Sequence, residues 1–486
     1  MSARLIGFGA LPSLEGMGEA TGKTRTGHIV LGTTVRTLGA WPSGWRHPGA
    51  HRDPREDAAA LTRIATDAEA AGIDFLFFGD WLATSADFEH SDPYLLARVD
   101  PLAAISFLSG ITSRIGLIAT VNTAYAEPYA VARATASADL LSGGRAGINL
   151  ATSAEIRAAR NFGWEDIYPH ADRIAAAGEV VEILRGLWDS WDDDAFEADA
   201  ESGSLIRPGA LHSIEFVGRH RASAGPLNVV RPPQGHLPIA MGGGSAGSRD
   251  LAARYADIAF VTPSTLTEAI AAYADARAAL ERAHRLGEHF LQLAPILPVV
   301  APSREAAWDR YDDLVGLVPL ADAHTTRDDL PATRSIRALA GVLGVPLTGV
   351  LLDEIVPARV AARFSDLGRE LARTVLERSG RGIRSERPLT YRHLLVAHVI
   401  RSPIIVGSAV DVADHLERWW RERAVDGFTV LSPYLSDEPD PFLTLVVPEL
   451  RKRGLFRSSY EGSTLREHLG LDRVPNSFRA SAVPTR

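Results

Sequence analysis

Residues 242–247 spell G-x-G-x-x-G between a short apolar run and a helical segment. Backbone amides in such a turn, at a helix N-terminus, cradle a phosphate, and Ser245 adds a hydroxyl. A dinucleotide-binding unit would carry an acid about 20 residues on, at the end of the next strand. That run ends here in Val261, Thr262 and Pro263. The turn therefore reads as a phosphate seat outside a dinucleotide domain, or as a plain Gly-rich connection. Other polar residues recur where apolar runs stop: Asn122 and Thr123 after 115–121, Asn149 with Thr152 and Ser153 around the end of 146–150, and Asp80 after 73–78. In parallel α/β folds ligands sit beyond the carboxyl ends of strands, so these residues either hold a ligand or cap loops. His47, in WRHP, and His170, before a long helix, are lone imidazoles suited to acid–base work or to structural bonding. His393 and His398, five apart, match no metal-ligand spacing, and no metal site is expected. The acidic triplet 192–194 reads as a solvated loop.

The elements that position these residues alternate. Residues 114–153 pack a strand, a crossover helix opened by Glu127-Pro128 and stopped at Gly143-Gly144, and a second strand into one βαβ unit. Apolar runs at 28–35, 73–78, 115–121, 146–150, 238–241, 257–261, 290–300 and 427–431 read as eight strands. Segments of helical periodicity lie between them, at 54–71, 171–191, 267–285 and 408–423 among others. An α/β fold follows, a TIM (β/α)8 barrel with long insertions after strands four and seven, at 192–236 and 303–400. The expected organisation is a Gly-rich extension over 1–27, one barrel domain over 28–475 and a tail over 476–486.

With 486 residues, 46% of them hydrophobic, the chain buries a large core. A net charge of -9 with scattered arginines argues against nucleic acid as partner. No apolar run reaches the roughly 18 residues a membrane helix needs, and the first residues lack the apolar core of a signal peptide. The absence of cysteine excludes thiolate chemistry and fits a reducing, cytoplasmic setting.

Several stretches carry a specific likeness: GWRHPGA at 44–50, FLFFGD at 75–80, SGGRAGINLATS at 142–153, NFGWED at 161–166 and GPLNVVRPPQG at 225–235. With the run at 100–133 and the closing segment VPELRKRGLFRSSYEG, they make residues 28 to about 475 resemble the bacterial luciferase-like flavin monooxygenases. The similar branch contains components acting on nitrilotriacetate, dibenzothiophene sulfone and pristinamycin. The resemblance implies FMN, bound as FMNH2 and delivered by a separate NAD(P)H flavin reductase, and O2 used through a flavin peroxide to oxygenate a small organic substrate. It implies a homodimer or homotetramer. By position, Asp80 and Asn122 would contact the flavin, His170 would be the histidine of an H-x-x-R-Y motif, and Gly244 and Ser245 would form the phosphate turn.

Three departures stand out: Ile174 replaces the motif's tyrosine, Met241 stands where relatives carry glutamine, and residues 40–43 lack a histidine. Within that reading His47 is the expected group bonding substrate or oxygen, Phe77 and Trp81 are the aromatic pocket walls, and 303–400 is the expected lid. A deazaflavin-dependent oxidoreductase, and a flavin-binding partner subunit with little turnover, remain open beside it.

Overall fold

The computed structural model describes residues 25, 27–322, 324, 329–400 and 403–480. The extension expected over 1–27 therefore lies almost wholly outside the described residues, as do 323 and 325–328 of the expected lid and 481–486 of the expected tail. Eight parallel strands close a ring: β1 Val30–Thr34, β2 Phe75–Phe78, β3 Gly116–Asn122, β4 Ala146–Ala151, β5 Ile239–Gly242, β6 Ile258–Phe260, β7 Leu291–Val300 and β8 Gly427–Val430. Each pairs with the next, and β8 returns to β1 with Val30 opposite Gly427. This is the (β/α)8 barrel that the alternation of apolar runs and helices predicts.

The helices start and stop where local chemistry dictates. In α1 Asp57–Ala70 the entry is a short 3₁₀ turn from Pro54, capped by Asp53. In α2 Pro101–Ser109 the Ala103 amide donates to the Asp100 carboxylate, and proline fills the first position, where a missing N–H costs nothing. In α3 Pro128–Ser142 the same proline start is matched by Gly143, whose φ of 69° closes the C-terminus. The remaining barrel helices are α4 His170–Trp188, α5 Ala246–Tyr255 and α6 Leu266–Arg282.

Strand alternation sorts side chains into two cores. Outward residues such as Leu31, Leu76, Leu117, Ile148 and Met241 pack under the helices. Inward residues Phe75, Ile118, Ala240, Ile258 and Leu293 form a separate core with Leu465, Leu469 and Leu471. These three leucines follow and flank the turn Leu465–His468, which plugs the barrel from the N-terminal ends of its strands. Gly116 and Gly147 make room for the plug, since a Cβ on either would lie within 3 Å of the Leu465 side chain. With that end closed, the ligand-binding end is the opposite mouth.

The acidic triplet is a structural clasp, which corrects the solvated-loop reading. Asp192 is buried and meets Arg207 and His212, Asp193 meets Arg231 and Arg473, and Asp194 meets Arg207 and Arg479. It binds the C-terminal segment to the stretch between β4 and β5. That stretch also holds two small antiparallel hairpins, 196–206 and 216–223.

Strand β7 is ten residues long and overshoots the ring. Its far end, Leu297–Val300, pairs with a strand unforeseen in the sequence, Ile404–Gly407. Leu297 and Val299 there enter a third core, built from α7 Arg304–Leu317, α8 Ile336–Leu343, α9 Asp366–Ser379 and α10 Tyr391–Val399. Trp41, from the loop after β1, inserts into the same core and donates its indole N–H to Leu314 O at 2.9 Å. The segment expected to lack strands also holds a two-residue ladder, Arg381–Gly382 with Arg387–Pro388. A last barrel helix, α11 Ala409–Arg421, leads into β8. Among the described residues no helix is long and apolar enough to cross a membrane.

Candidate active site

The glycine turn joins β5 to α5 at the barrel mouth. Gly243 has φ of 143°, and a Cβ there would lie 2.6 Å from that of Ser248, so only glycine makes the bend. A Cβ on Gly244 would meet nothing within 4 Å, so space opens above the turn. Ser245 caps α5, its Oγ accepting from the Ser248 amide at 3.0 Å. Arg249 stiffens the turn by donating to Gly244 O at 2.8 Å. The amides of Ala246 and Gly247 take no acceptor among the described residues, as expected at a helix start, where amides and the helix dipole favour an anion.

His170 lies not before the long helix but at its first position, where α4 meets this turn. Its Nε2 is 2.9 Å from Ser245 Oγ, which is 2.8 Å from Ser248 Oγ. One helical turn on, Arg173 donates through Nε to Thr152 O at 3.1 Å, and its Nη2 faces His170 Nδ1 at 3.4 Å. An arginine against Nδ1 makes that nitrogen the acceptor and leaves the proton on Nε2. Ser245 then accepts from His170 and from the Ser248 amide, and passes its own proton to Ser248. The Ser248 hydroxyl is left to donate to whatever occupies the turn.

Inside the mouth a polar shelf sits above the plugged core. Asn149, pointing inward from β4, donates to Thr120 Oγ1 on β3 at 3.1 Å. Its carbonyl oxygen is buried with no hydrogen-bond partner among the described residues. A buried acceptor left open costs about 1–3 kcal/mol, and an N–H of a ligand would satisfy it. Beside the shelf, Phe77 and Phe260 meet ring to ring at 4.7 Å.

Asp80 follows β2, and its Oδ1 accepts from the Trp81 amide at 2.7 Å. Burial raises its pKa, the Trp81 bond and the charge of Arg98 opposing it. Its second oxygen takes no hydrogen bond among the described residues. Asn122 caps its own turn, its Oδ1 accepting from the Ala124 amide at 3.1 Å. Trp81 is 39% exposed on the same rim. His47 stacks on Tyr434 at 3.8 Å, with its Nδ1 2.9 Å from Pro48 O. It thus belongs to the loops after β1 and β8, and among the described residues no hydrogen bond or ring contact joins it to the glycine turn.

The structure therefore brings His170, Gly244 and Ser245 into one cluster, strings Asp80, Asn122 and Phe77 along the adjoining strand ends, and sets His47 apart. Arg173, Ser248 and Thr120 belong to the cluster and shelf but were not singled out from sequence. Arg173 was legible as the arginine three residues after His170, and Ser248 as the third residue after a capping serine. Ile174 lies beside the turn: a Cβ on Gly247 would be 3.6 Å from both His170 Nε2 and Ile174 Cγ1. Met241 does not bear on the mouth. It points outward from β5 into the helix layer with Leu150 and Ala259, so the departure from glutamine there takes no group from the mouth.

Comparison with known proteins agrees with this geometry. The family model for luciferase-like monooxygenases matches residues 38–427. The chain is 35% identical to nitrilotriacetate monooxygenase component A of Aminobacter aminovorans, over 92% of this chain and 97% of that protein. It is 34% identical to N-acetyl-S-(2-succino)cysteine monooxygenase of Bacillus subtilis, over 93% and 98%. In three dimensions it resembles the EDTA monooxygenase of Chelativorans sp. BNC1, with a TM-score of 0.70 and 29% identity, over 93% of this chain and all of that one. A barrel closed below by its own C-terminal segment and open above onto a glycine turn, matched over most of its length to these enzymes, identifies the chain as a member of the luciferase-like monooxygenase family.

Proposed function

We propose that the protein is a monooxygenase that binds FMN in its reduced form, receives it from a separate NAD(P)H flavin reductase, and uses O2 to oxygenate a small organic substrate. The observation that carries this reading is the turn at α5, where free amides, the Ser248 hydroxyl and the His170–Arg173 pair converge beside the open space above Gly244. The residues present fit the rest of a flavin as well. Asn149 offers a buried, unpartnered carbonyl oxygen to a ring N–H, and Asp80 and Asn122 line the adjoining rim.

When bound, the reduced flavin supplies the electrons that activate O2. The chain's own residues do the rest. Arg173 fixes the His170 tautomer, so the imidazole holds Ser245 and, through it, the Ser248 hydroxyl toward the phosphate. Phe77, Phe260 and Trp81 would keep water from a bound flavin, which would favour oxygenation over wasteful release of H2O2. Asp80, its pKa raised by burial, holds a proton more readily than an exposed carboxylate and can hydrogen-bond a ring nitrogen or oxygen. His47 is proposed as the group that bonds substrate from the far rim, and the insertion over 303–400 as the cover of the mouth.

Self-association is supported by apolar side chains left exposed on neighbouring helices, Phe107 of α2 with Leu140 and Leu141 of α3. A second reading, a flavin-binding subunit with little turnover, is favoured by Ile174, which puts no hydroxyl beside the phosphate turn. Oxygen uptake with reductase-supplied FMNH2 separates the two. Substrate-dependent uptake, with one oxygen atom gained by a member of a panel that includes nitrilotriacetate and N-acetyl-S-(2-succino)cysteine, is expected. Uptake that no substrate alters, with all O2 recovered as H2O2, would favour the partner-subunit reading.

A further inference from the structure

On the side of the mouth where the loops after β8, β1 and β2 meet the insertion, a cavity of about 380 Å³ opens. Its walls combine an apolar side, with Leu297, Leu431 and Ile400, and a polar side whose charged residues are Arg36, Asp92 and Arg334. Arg36 Nη1 lies 2.6 Å from Asp92 Oδ2, so those two charges offset each other. Among the described residues Arg334 has no such partner. It is 3% exposed, and its side chain makes one long hydrogen bond within them, Nη1 to Pro319 O at 3.4 Å. Burial alone lowers its pKa, to about 10, with no carboxylate opposing the shift. The guanidinium therefore stays charged at neutral pH.

A buried cation without a counter-ion is costly. Its position explains why it is kept. In the ring β1 to β8, the glycine turn after β5 lies opposite β1, and α4 leaves from β4, opposite β8. The Arg334 cavity is thus across the mouth from the phosphate seat. The mouth between the two is lined by Asp80 and Asn122, which would hold a flavin anchored at that seat, so a molecule held by Arg334 would face it.

We propose that this cavity is the substrate site and that Arg334 anchors an organic carboxylate in it. That the ligand is a substrate rests on the flavin reading above, whereas the anion site itself does not. One uncompensated charge suits a singly charged head. The planar guanidinium fork matches a carboxylate two bonds at a time, and Leu297, Leu431 and Ile400 suit the hydrocarbon attached to it. A volume of this size admits a small molecule.

The test uses the full chain and calorimetric titration with hexanoate, methyl hexanoate, hexane-1-sulfonate and hexylammonium. Saturable binding of hexanoate, little binding of the ester or the ammonium, and a loss of about tenfold or more in Arg334→Gln are expected, since a charge-assisted bond is removed. FMN affinity in Arg334→Gln should equal that of the wild type, which shows that the variant is folded. Should the variant not fold, the wild type's preference for acid over ester decides the matter. Equal binding of acid and ester, unchanged hexanoate binding in Arg334→Gln, or no hexanoate binding by the wild type would overturn the site. Sulfonate binding as tight as carboxylate would overturn the choice of head group. Wild-type protein that binds hexanoate but no FMN would sink the flavin reading and leave the anion site standing.

Discussion

His170 Nε2 and Ser245 Oγ, 2.9 Å apart, tie the first residue of one barrel helix to the N-cap of another. The two residues are 75 positions apart in sequence, and their meeting turns an ordinary helix start into a shaped anion seat. Replacing Ser245 by alanine removes both the cap and the relay to Ser248. A stability loss of about 1 kcal/mol is expected from the cap alone. The sharper readout is selectivity: Ser245→Ala should lose affinity for FMN while its weaker affinity for riboflavin, which lacks the phosphate, stays as it was.

The glycines of the turn differ in kind. Gly243→Ala meets Ser248 at 2.6 Å and a backbone angle of 143° that alanine resists, so it should cost ~2 kcal/mol in denaturant unfolding and abolish FMN binding. Gly244→Ala meets nothing. It should unfold as the wild type does and weaken FMN only by narrowing the open space. Equal effects of the two substitutions would show that this space is not where phosphate sits.

The plug at the barrel floor gives a prediction independent of the ligand. Leu465 is fully buried against Gly116 and Gly147. Leu465→Ala should destabilise by about 3 kcal/mol through the cavity it leaves.

Close by, His468 is buried, with Nε2 2.7 Å from Arg114 O, and burial drives its pKa down to about 4 from an ordinary 6.5. The unfolded chain takes up a proton there below pH 6.5 while the native one does not. Its contribution is therefore fully present above pH 6.5 and lost as pH falls toward 4, by at most ~3 kcal/mol. His468→Gln, which can still donate to Arg114 O, should flatten acid unfolding across that interval.

Arg334 should carry the opposite signature to a structural arginine. Its unpaired charge is a cost in the free protein, so Arg334→Met, of similar length, should raise Tm by a few degrees while abolishing carboxylate binding. A fall in Tm would mean that the residue serves packing instead.

The eight strands were legible because parallel strands covered on both faces read as unbroken apolar runs, as 115–121 and 290–300 do. Ile404–Gly407 was not, because only four residues pair and their partner is the overshooting end of β7. Helix starts were legible wherever a cap and proline coincide, as at Asp100-Pro101. The glycine turn was readable as a motif, and His170 from its place at the long helix, but their contact is tertiary. Met241 shows the limit most plainly: its offset from Gly242 is one residue, and that single step turns a side chain from the mouth to the helix layer. The triplet 192–194 was read as solvated because nothing local reveals that Arg231, Arg473 and Arg479 return to it. Arg334 carried no signal at all, since an arginine followed by a serine-capped helix looks like any surface residue until burial removes its partners.

The most direct test of the account is an anaerobic titration of reduced FMN and reduced riboflavin into the protein, followed by tryptophan fluorescence. Saturable binding of reduced FMN, markedly tighter than that of reduced riboflavin and brought to the same level by Ser245→Ala, is the expected result. Equal affinity for the two flavins, or binding of neither, would contradict the assignment of the turn at Gly243–Ser248 as the phosphate seat of a flavin-dependent oxygenase.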